Sequence, residues 1–324
     1  MRKEEGKKMK YEDARKKPRV LQQLTGLKIE EFDKLKAAFQ KAYEEDEQER
    51  GTPDSRAGRK AVLLTYEDKL FFILFYLRHY PTQEVLGFWF GMSQGQTNHW
   101  IHRLTPIVKK ALGEEKELPG RTAEDIKELM QVCPELAFII DGTERPIRRP
   151  ADSEARRKDY SGKKKRHAKK NIVITEKATG EVIGLGATQP GSQHDKACAD
   201  EENYTFPEGS TLFQDTGFQG YAPEGATVEQ PTKKPRGKEL SPEQKEENRT
   251  ISSERVFVEH SIGGIKVFHI VSTIFRNIKE GFNDLVMETV CGLFNFIRDC
   301  RNAESSLGAS SPPAPAPAPA PVPT

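Results

Sequence analysis

Cysteine is scarce in this chain: Cys133, Cys198, Cys291 and Cys300 are spread over 324 residues with no CxxC pair and no zinc-ligand spacing. That excludes a disulfide framework and points to buried thiols in a reducing compartment. Long apolar runs are missing as well. No uninterrupted stretch reaches the ~20 residues that a membrane helix needs, and no secretory leader is recognisable, so the expectation is a cytoplasmic protein with no membrane partner. Net charge is also nearly absent, because 51 Lys plus Arg oppose 49 Asp plus Glu to leave a formal +2. A uniformly basic nucleic-acid binder is therefore excluded, and only a local concentration of cations could serve that purpose.

What is present begins with three acids in distinctive settings. Asp141 follows a short apolar run in "LAFIIDGTERPI", which reads as a buried strand emptying into a turn at Gly142. Asp215 repeats that design in "STLFQDTGFQG", where Thr216 and Gly217 break a second strand-like run directly after the carboxylate. Glu259 differs, since the Arg255-x3-Glu259-x6-Lys266 spacing gathers three charged residues on one helical face. Glu254, about 140° around such a helix from Glu259, cannot address the same ligand. Carboxylates brought together repel unless a cation sits among them. Hard divalent ions suit them, because magnesium takes one or two carboxylates together with water and phosphate oxygens. Two such ions, roughly 3.5–4 Å apart, clamp the attacking and leaving oxygens of an in-line displacement at phosphorus.

Cations are concentrated directly after the first acid. Between positions 145 and 170, Arg145, Arg148, Arg149, Arg156, Arg157, Lys158, Lys163, Lys164, Lys165, Arg166, Lys169 and Lys170 face only Asp152, Glu154 and Asp159. A plain lysine run is usually a solvated loop. Beside a carboxylate that handles phosphodiesters it reads as a phosphate-binding footprint.

Upstream, residues 1–17 are charged and read as mobile, and Phe32, Leu35, Phe39 and Ala42 recur at helical spacing over residues 28–44. Residues 45–59 read as a linker. Thr65 with Asp68 starts the next helix, Thr82 caps a short one, and Ser93 with Gln96 opens a third whose core face is Thr97, Trp100, Ile101, Leu104 and Val108. Gln96, His99 and Arg103 lie opposite that face. This is the pattern of a helix-turn-helix, whose second helix offers polar and cationic side chains to the major groove; an ordinary bundle with a wet outer face is the alternative.

Taken together, "IIDGTERPIRRP", "DYSGKKKRHAKKN", "GSQHDKACAD", "FQDTGFQG" and the Arg255, Glu259 and Lys266 spacing resemble bacterial insertion-sequence transposases of the DDE class, in the branch related to Harbinger elements. The likeness runs from about Leu64 to Arg301. It implies an α/β fold, a ribonuclease-H-like catalytic domain preceded by an all-α helix-turn-helix region. It also implies that Asp141, Asp215 and Glu259 are catalytic and hold two Mg2+ per site, with Mn2+ able to substitute. Gln96, His99, Arg103, Lys163, Lys164, Lys165, Arg166, Arg255 and Lys266 then contact DNA. The partners implied are double-stranded DNA, as element ends and target, and a second copy of the chain in at least a dimer. One departure is visible: relatives often carry Tyr three residues before the Arg, where this chain has Ser252.

The expected division is residues 1–60, a charged segment with one amphipathic helix and a candidate for self-association; 61–113, the DNA-binding domain; 114–132, a linker; 133–303, the catalytic domain; and 304–324, a Pro/Ala-rich tail. Residues 231–249 are charged and apolar-poor and read as an exposed loop, while Phe282, Leu285, Thr289, Leu293, Phe296 and Cys300 describe a closing amphipathic helix. The tail "SSPPAPAPAPAPVPT" favours extended polyproline conformation and cannot pack a core. Two other functions share these features: a non-catalytic DNA-binding protein descended from such an enzyme, and a metal nuclease without strand transfer.

Overall fold

The computed structural model describes residues 8–51, 62–234, 237 and 239–309. The expected linker over residues 52–59 and residues 310–324 of the expected Pro/Ala tail lie outside these, while residues 304–309 of that tail are instead helical. The chain begins with helices α1 (Tyr11–Arg15), α2 (Pro18–Thr25) and α3 (Ile29–Arg50). Two expectations are thereby corrected: residues 11–15 are helical, with Tyr11 stacked on Phe32 at 4.6 Å between ring centroids, and residues 45–50 continue α3 rather than starting a linker. Glu31 reaches back to the Lys28 amide at 2.7 Å, and left-handed Gly51 ends the helix.

Three helices follow, each with the start read from sequence: α4 (Tyr66–His79), α5 (Gln83–Phe90) and α6 (Gln94–Glu114). Thr65 Oγ1 accepts from the Asp68 amide at 3.1 Å, Thr82 Oγ1 from Val85 at 3.4 Å, and Ser93 and Gln96 cap one another at 3.3 and 3.0 Å. Residues 70–77 of α4 are buried on every side, which makes it the central helix of the group. Gly87 lets α5 and α6 meet closely, since a Cβ there would lie 2.6 Å from the Met92 carbonyl oxygen and 2.8 Å from Thr97 Oγ1.

The exposed-face assignment for α6 needs one correction. His99 is exposed and Gln96 half-buried, but Arg103 is buried, its side chain 4% exposed. Its guanidinium pairs with Asp46 of α3 at 3.1 Å and lies over the rings of Tyr43 and Trp100. A single-helix wheel leaves Arg103 outside; α3 packs along that side and takes it in.

Between the helical group and the sheet, α7 (Ala123–Gln131) replaces the expected linker, capped by Thr122 and Asp125 and burying Ile126 and Met130. The sheet chain then runs β1 (Ala137–Pro146), α8 (Ser153–Lys158), β2 (Tyr160–Ser161), β3 (Arg166–Glu176), β4 (Val182–Leu185), β5 (Gln189–Pro190), α9 (Asp195–Glu202), β6 (Ser210–Phe213), a short 3-10 turn at Thr216–Phe218, and β7 (Ala226–Glu229). The main strand order is β2-β3-β1-β6-β7, with β4 and β5 also pairing with β3. β1 is antiparallel to β3 and parallel to β6, and β6 is parallel to β7, so the sheet is mixed.

Helices α10 (Pro242–Lys266), α11 (His269–Ser272) and α12 (Phe282–Ala309) complete the chain. Residues 242–249 are thus the first turns of α10, capped by Ser241, rather than a loop. Alternation on β1 decides what covers each face. Phe138 and Ile140 pack with α7 and α9, whereas Ile139 packs with Val258 and Ile262 of α10.

Helix α12 joins the two halves. Asn295 donates to the Glu117 and Val182 carbonyls at 3.0 and 2.9 Å and accepts from the Val182 amide at 2.9 Å, closing the free backbone of β4. Lys109 of α6 pairs with Glu288 at 2.8 Å. Just before α12, Arg276 lies 4.1 Å from the Tyr80 ring centroid and donates to the carbonyls of Tyr80 and Pro81, the latter at 2.9 Å.

Burial of Arg103 generates a stability prediction. Arg103→Ala should cost on the order of 2–3 kcal/mol in urea unfolding, below the figure for a fully enclosed pair because Asp46 keeps 27% of its side chain exposed. A variant as stable as wild type would show that the pairing contributes nothing.

Candidate active site

Strand β1 does not end at Asp141. It runs on through Gly142 to Pro146, which overturns the expected turn. Gly142 is not among the residues with positive φ, so its backbone makes no demand for glycine. Space does: a Cβ there would lie 2.5 Å from Asp195 Oδ1. Asp215 leaves the end of β6 and caps the 3-10 turn by accepting from the Gly217 amide at 2.7 Å. Gly217 has the same need for room, since its Cβ would meet Asp215 Oδ1 at 2.8 Å and Asp195 Oδ2 at 2.9 Å.

Parallel register sets the two aspartates at one level. Ile139 of β1 pairs with Phe213 of β6, and Asp141 and Asp215 each follow two residues later. Asp141 accepts from the Gly142 amide at 2.8 Å. Burial pushes its carboxyl up to about 6; the Gly142 hydrogen bond and the charge of Arg255 oppose that, and the charges of Asp215 and Asp195 add to it.

Helix α10 brings Arg255 and Lys266 to bear on Asp141. Burial pulls the Lys266 ammonium down, partly offset by Asp141 and reinforced by Lys164 and Arg166. Glu259 is exposed one turn beyond Arg255. Glu254 faces elsewhere, paired with Lys177 at 2.6 Å, as the helical spacing requires. Among the described residues, no three acid, histidine or cysteine side chains close on one point tightly enough to cage a cation alone. Magnesium does not require such a cage, because water and substrate phosphate complete its shell. The oxygen donors of Asp141 and Asp215, with their like charges at one level, fit that mode of binding.

The basic run divides between surface and interior. Lys163, Lys164 and Lys165 are exposed between β2 and β3, and Arg166 is exposed at the start of β3. Lys169 pairs with Asp159 at 2.8 Å and Lys170 with Asp195 at 2.7 Å, so both are committed inward. Arg145 is a further correction to the footprint. It is buried, donating to the Asn283 carbonyl at 2.8 Å, Asn171 Oδ1 at 2.6 Å and Thr188 Oγ1 at 2.9 Å. Asp195 was not singled out from sequence, although "GSQHD" and the glycines that follow both aspartates were the available signals.

The raised Asp141 carboxyl predicts a pH effect. Its folded value lies above the ordinary 3.8, so the stability it contributes is full below that value and lost as pH rises through about 6. In metal-free protein, Asp141→Asn should therefore gain about 1–3 kcal/mol relative to wild type on going from about pH 4 to about pH 8. Thermal melts at the two pH values test this, and parallel pH dependence of the two proteins would refute it.

Residues 140–295 match the family described as DDE superfamily endonuclease, and residues 63–114 match the helix-turn-helix of DDE superfamily endonuclease. The probable transposase for insertion sequence element IS702 of Microchaete diplosiphon is 31% identical over 242 residues, covering 74% of this chain and 83% of that one. No solved structure is detectably similar. The second match falls on α4, α5 and α6, and the first begins at the residue before Asp141 and extends into α12. The chain belongs to the insertion-sequence transposases of the DDE superfamily.

Proposed function

We propose that this transposase binds the terminal inverted repeats of its element through α4 to α6, and that it cleaves and joins DNA at Asp141, Asp215 and Glu259. One observation carries the reading: two aspartates leave adjacent parallel strands at one level, Arg255 acts on the first of them, and the exposed cations Lys164 and Arg166 act on Lys266. The fold that serves this is ribonuclease-H-like, in a catalytic domain of residues 133–303 behind a DNA-binding domain of residues 61–113. Ends are processed in pairs, which requires at least a dimer.

Asp141 would bridge two Mg2+, while Asp215 and Glu259 would hold one each; bound ions supply charge neutralisation and activation of the attacking oxygen. The remaining chemistry belongs to the chain. Lys163, Lys164, Lys165 and Arg166 draw the DNA backbone toward the strand ends, and counterion release makes that attraction steeply salt-dependent. Arg255 and Lys266 offset phosphate charge beside Asp141. On α6, His99 with Gln96 faces the groove; Arg103, being buried, has no part in it. The sequence of events is hydrolysis at the element's ends followed by attack of the freed 3′-hydroxyl on target DNA.

Cleavage of end-containing duplex in magnesium should fall by several orders of magnitude in Asp141→Asn, Asp215→Asn and Glu259→Gln, with gel-shift affinity for the same duplex preserved. Glu254→Gln, whose carboxylate pairs with Lys177, should stay within about tenfold of wild type. Substantial cleavage by either aspartate variant would overturn the assignment. Product analysis with a supercoiled target separates a transposase from a plain nuclease, since only the former joins ends to target.

Replacing Lys164 and Arg166 together by Ala should weaken binding uniformly across sequences and reduce the slope of log K against log salt by about two. His99→Ala should instead relax preference for the element's end. An unchanged salt slope in the double variant would remove residues 163–166 from the DNA path.

A further inference from the structure

We propose that Asp195 is a fourth carboxylate of the metal site, facing the cations with Oδ2 while Lys170 holds Oδ1. The inference rests on the reading of Asp141 and Asp215 as metal-binding residues. It starts from the two glycines. Gly142 directly follows Asp141 and Gly217 lies two residues after Asp215, and neither is needed for a positive φ. Both are needed because the Asp195 carboxylate occupies the space a Cβ would take, lying 2.5 Å from the Cβ position of Gly142 and 2.9 Å from that of Gly217. Asp195 Oδ2 and Asp215 Oδ1 lie 2.9 and 2.8 Å from that same point above Gly217. Their separation is therefore no greater than the sum of those distances, and a cation between like-charged oxygens relieves their repulsion.

The surroundings of Asp195 are built. It opens α9, and its Oδ1 pairs with the ammonium of buried Lys170 at 2.7 Å. Lys170 in turn donates to the Gln193 carbonyl at 2.7 Å and stands 4.0 Å from Glu144 Oε1. The Glu144 side chain is only 8% exposed, and its Oε2 is shut off from solvent with no hydrogen-bond partner in the protein. A buried acceptor left open in this way costs free energy unless something binds there. One ammonium thus serves two carboxylates on the α9 face, leaving the pocket short of positive charge. A divalent cation reached by Asp195 Oδ2 corrects that shortage. The anchored Oδ1 and free Oδ2 follow the usual pattern of ligating carboxylates, which are themselves fixed by a second contact.

Manganese binding without DNA tests the proposal. MnCl2 titrations followed by electron paramagnetic resonance of the free ion should give Asp195→Asn an affinity 10- to 100-fold below wild type, with circular dichroism unchanged. Asp141→Asn is the companion measurement. If Asp141→Asn binds as wild type does, the underlying reading of the site fails; if it loses affinity and Asp195→Asn does not, the present inference alone is overturned. Should Asp195→Asn fail to fold, wild-type protein loaded with Fe2+ and treated with ascorbate and peroxide decides the question. Backbone scission at residues 194–196 alongside scission near 141 and 215 supports the proposal, and scission that spares 194–196 overturns it.

Discussion

The guanidinium of Arg145, closed off from water on the strand that carries Asp141, sets much of the arrangement around it. Its partners come from three places: Asn171 on β3, Thr188 before β5, and the Asn283 carbonyl in the first turn of α12. Burial lowers its affinity for the proton, partly offset by the charge of Asp284, to about 10, yet it remains charged at neutral pH and must keep its acceptors. Thr188 passes the constraint on by donating to Asp284 at 2.7 Å, and Asp284 also pairs with Arg121. A charge that cannot be left unpaired thereby pins the central strand to the helix behind it. Losing one partner from such a group costs more than the bond itself contributes.

Charge is partitioned in this molecule. Arg103, Arg145, Lys169 and Lys170 belong by sequence to basic, DNA-facing patterns, yet each is spent on holding elements together. Exposed cations remain at residues 163–165, on the connection between β2 and β3, at Arg166, which opens β3, and at Arg148, Arg149, Arg157 and Lys158. Near-neutral net charge and a local electropositive edge are therefore compatible, because roughly balanced networks inside leave the surplus at the surface between residues 148 and 166.

Local signals were legible and tertiary ones were not. Thr65, Thr82 and Ser93 cap their helices as read, since a cap depends on three or four neighbouring residues. The spacing of Arg255, Glu254 and Glu259 likewise placed Glu254 away from Asp141, where it meets Lys177. Arg103 misled because its environment is made by α3, more than fifty residues earlier, as its contact with Asp46 shows. Gly142 misled for a related reason: a glycine after a strand residue usually marks a turn, and only the arrival of Asp195 from α9 reveals that the missing side chain is what matters. Residues 114–132 read as a linker, whereas Ile126 and Met130 of α7 help fill the core on one face of the sheet.

Helix α12 has a geometric consequence for any duplex the protein holds. It touches α6 through Lys109 and Glu288, closes β4 through Asn295, and begins beside the loop whose Arg276 grips the turn between α4 and α5. Helix α6 and the strand that bears Asp141 are consequently parts of one frame rather than beads on a string. Such a frame works as a caliper. Under the proposed function, the number of base pairs between the sequence recognised and the bond broken would be set by the separation of its jaws, so an element's end would carry its cut site at a fixed offset that the protein, and not the DNA, dictates.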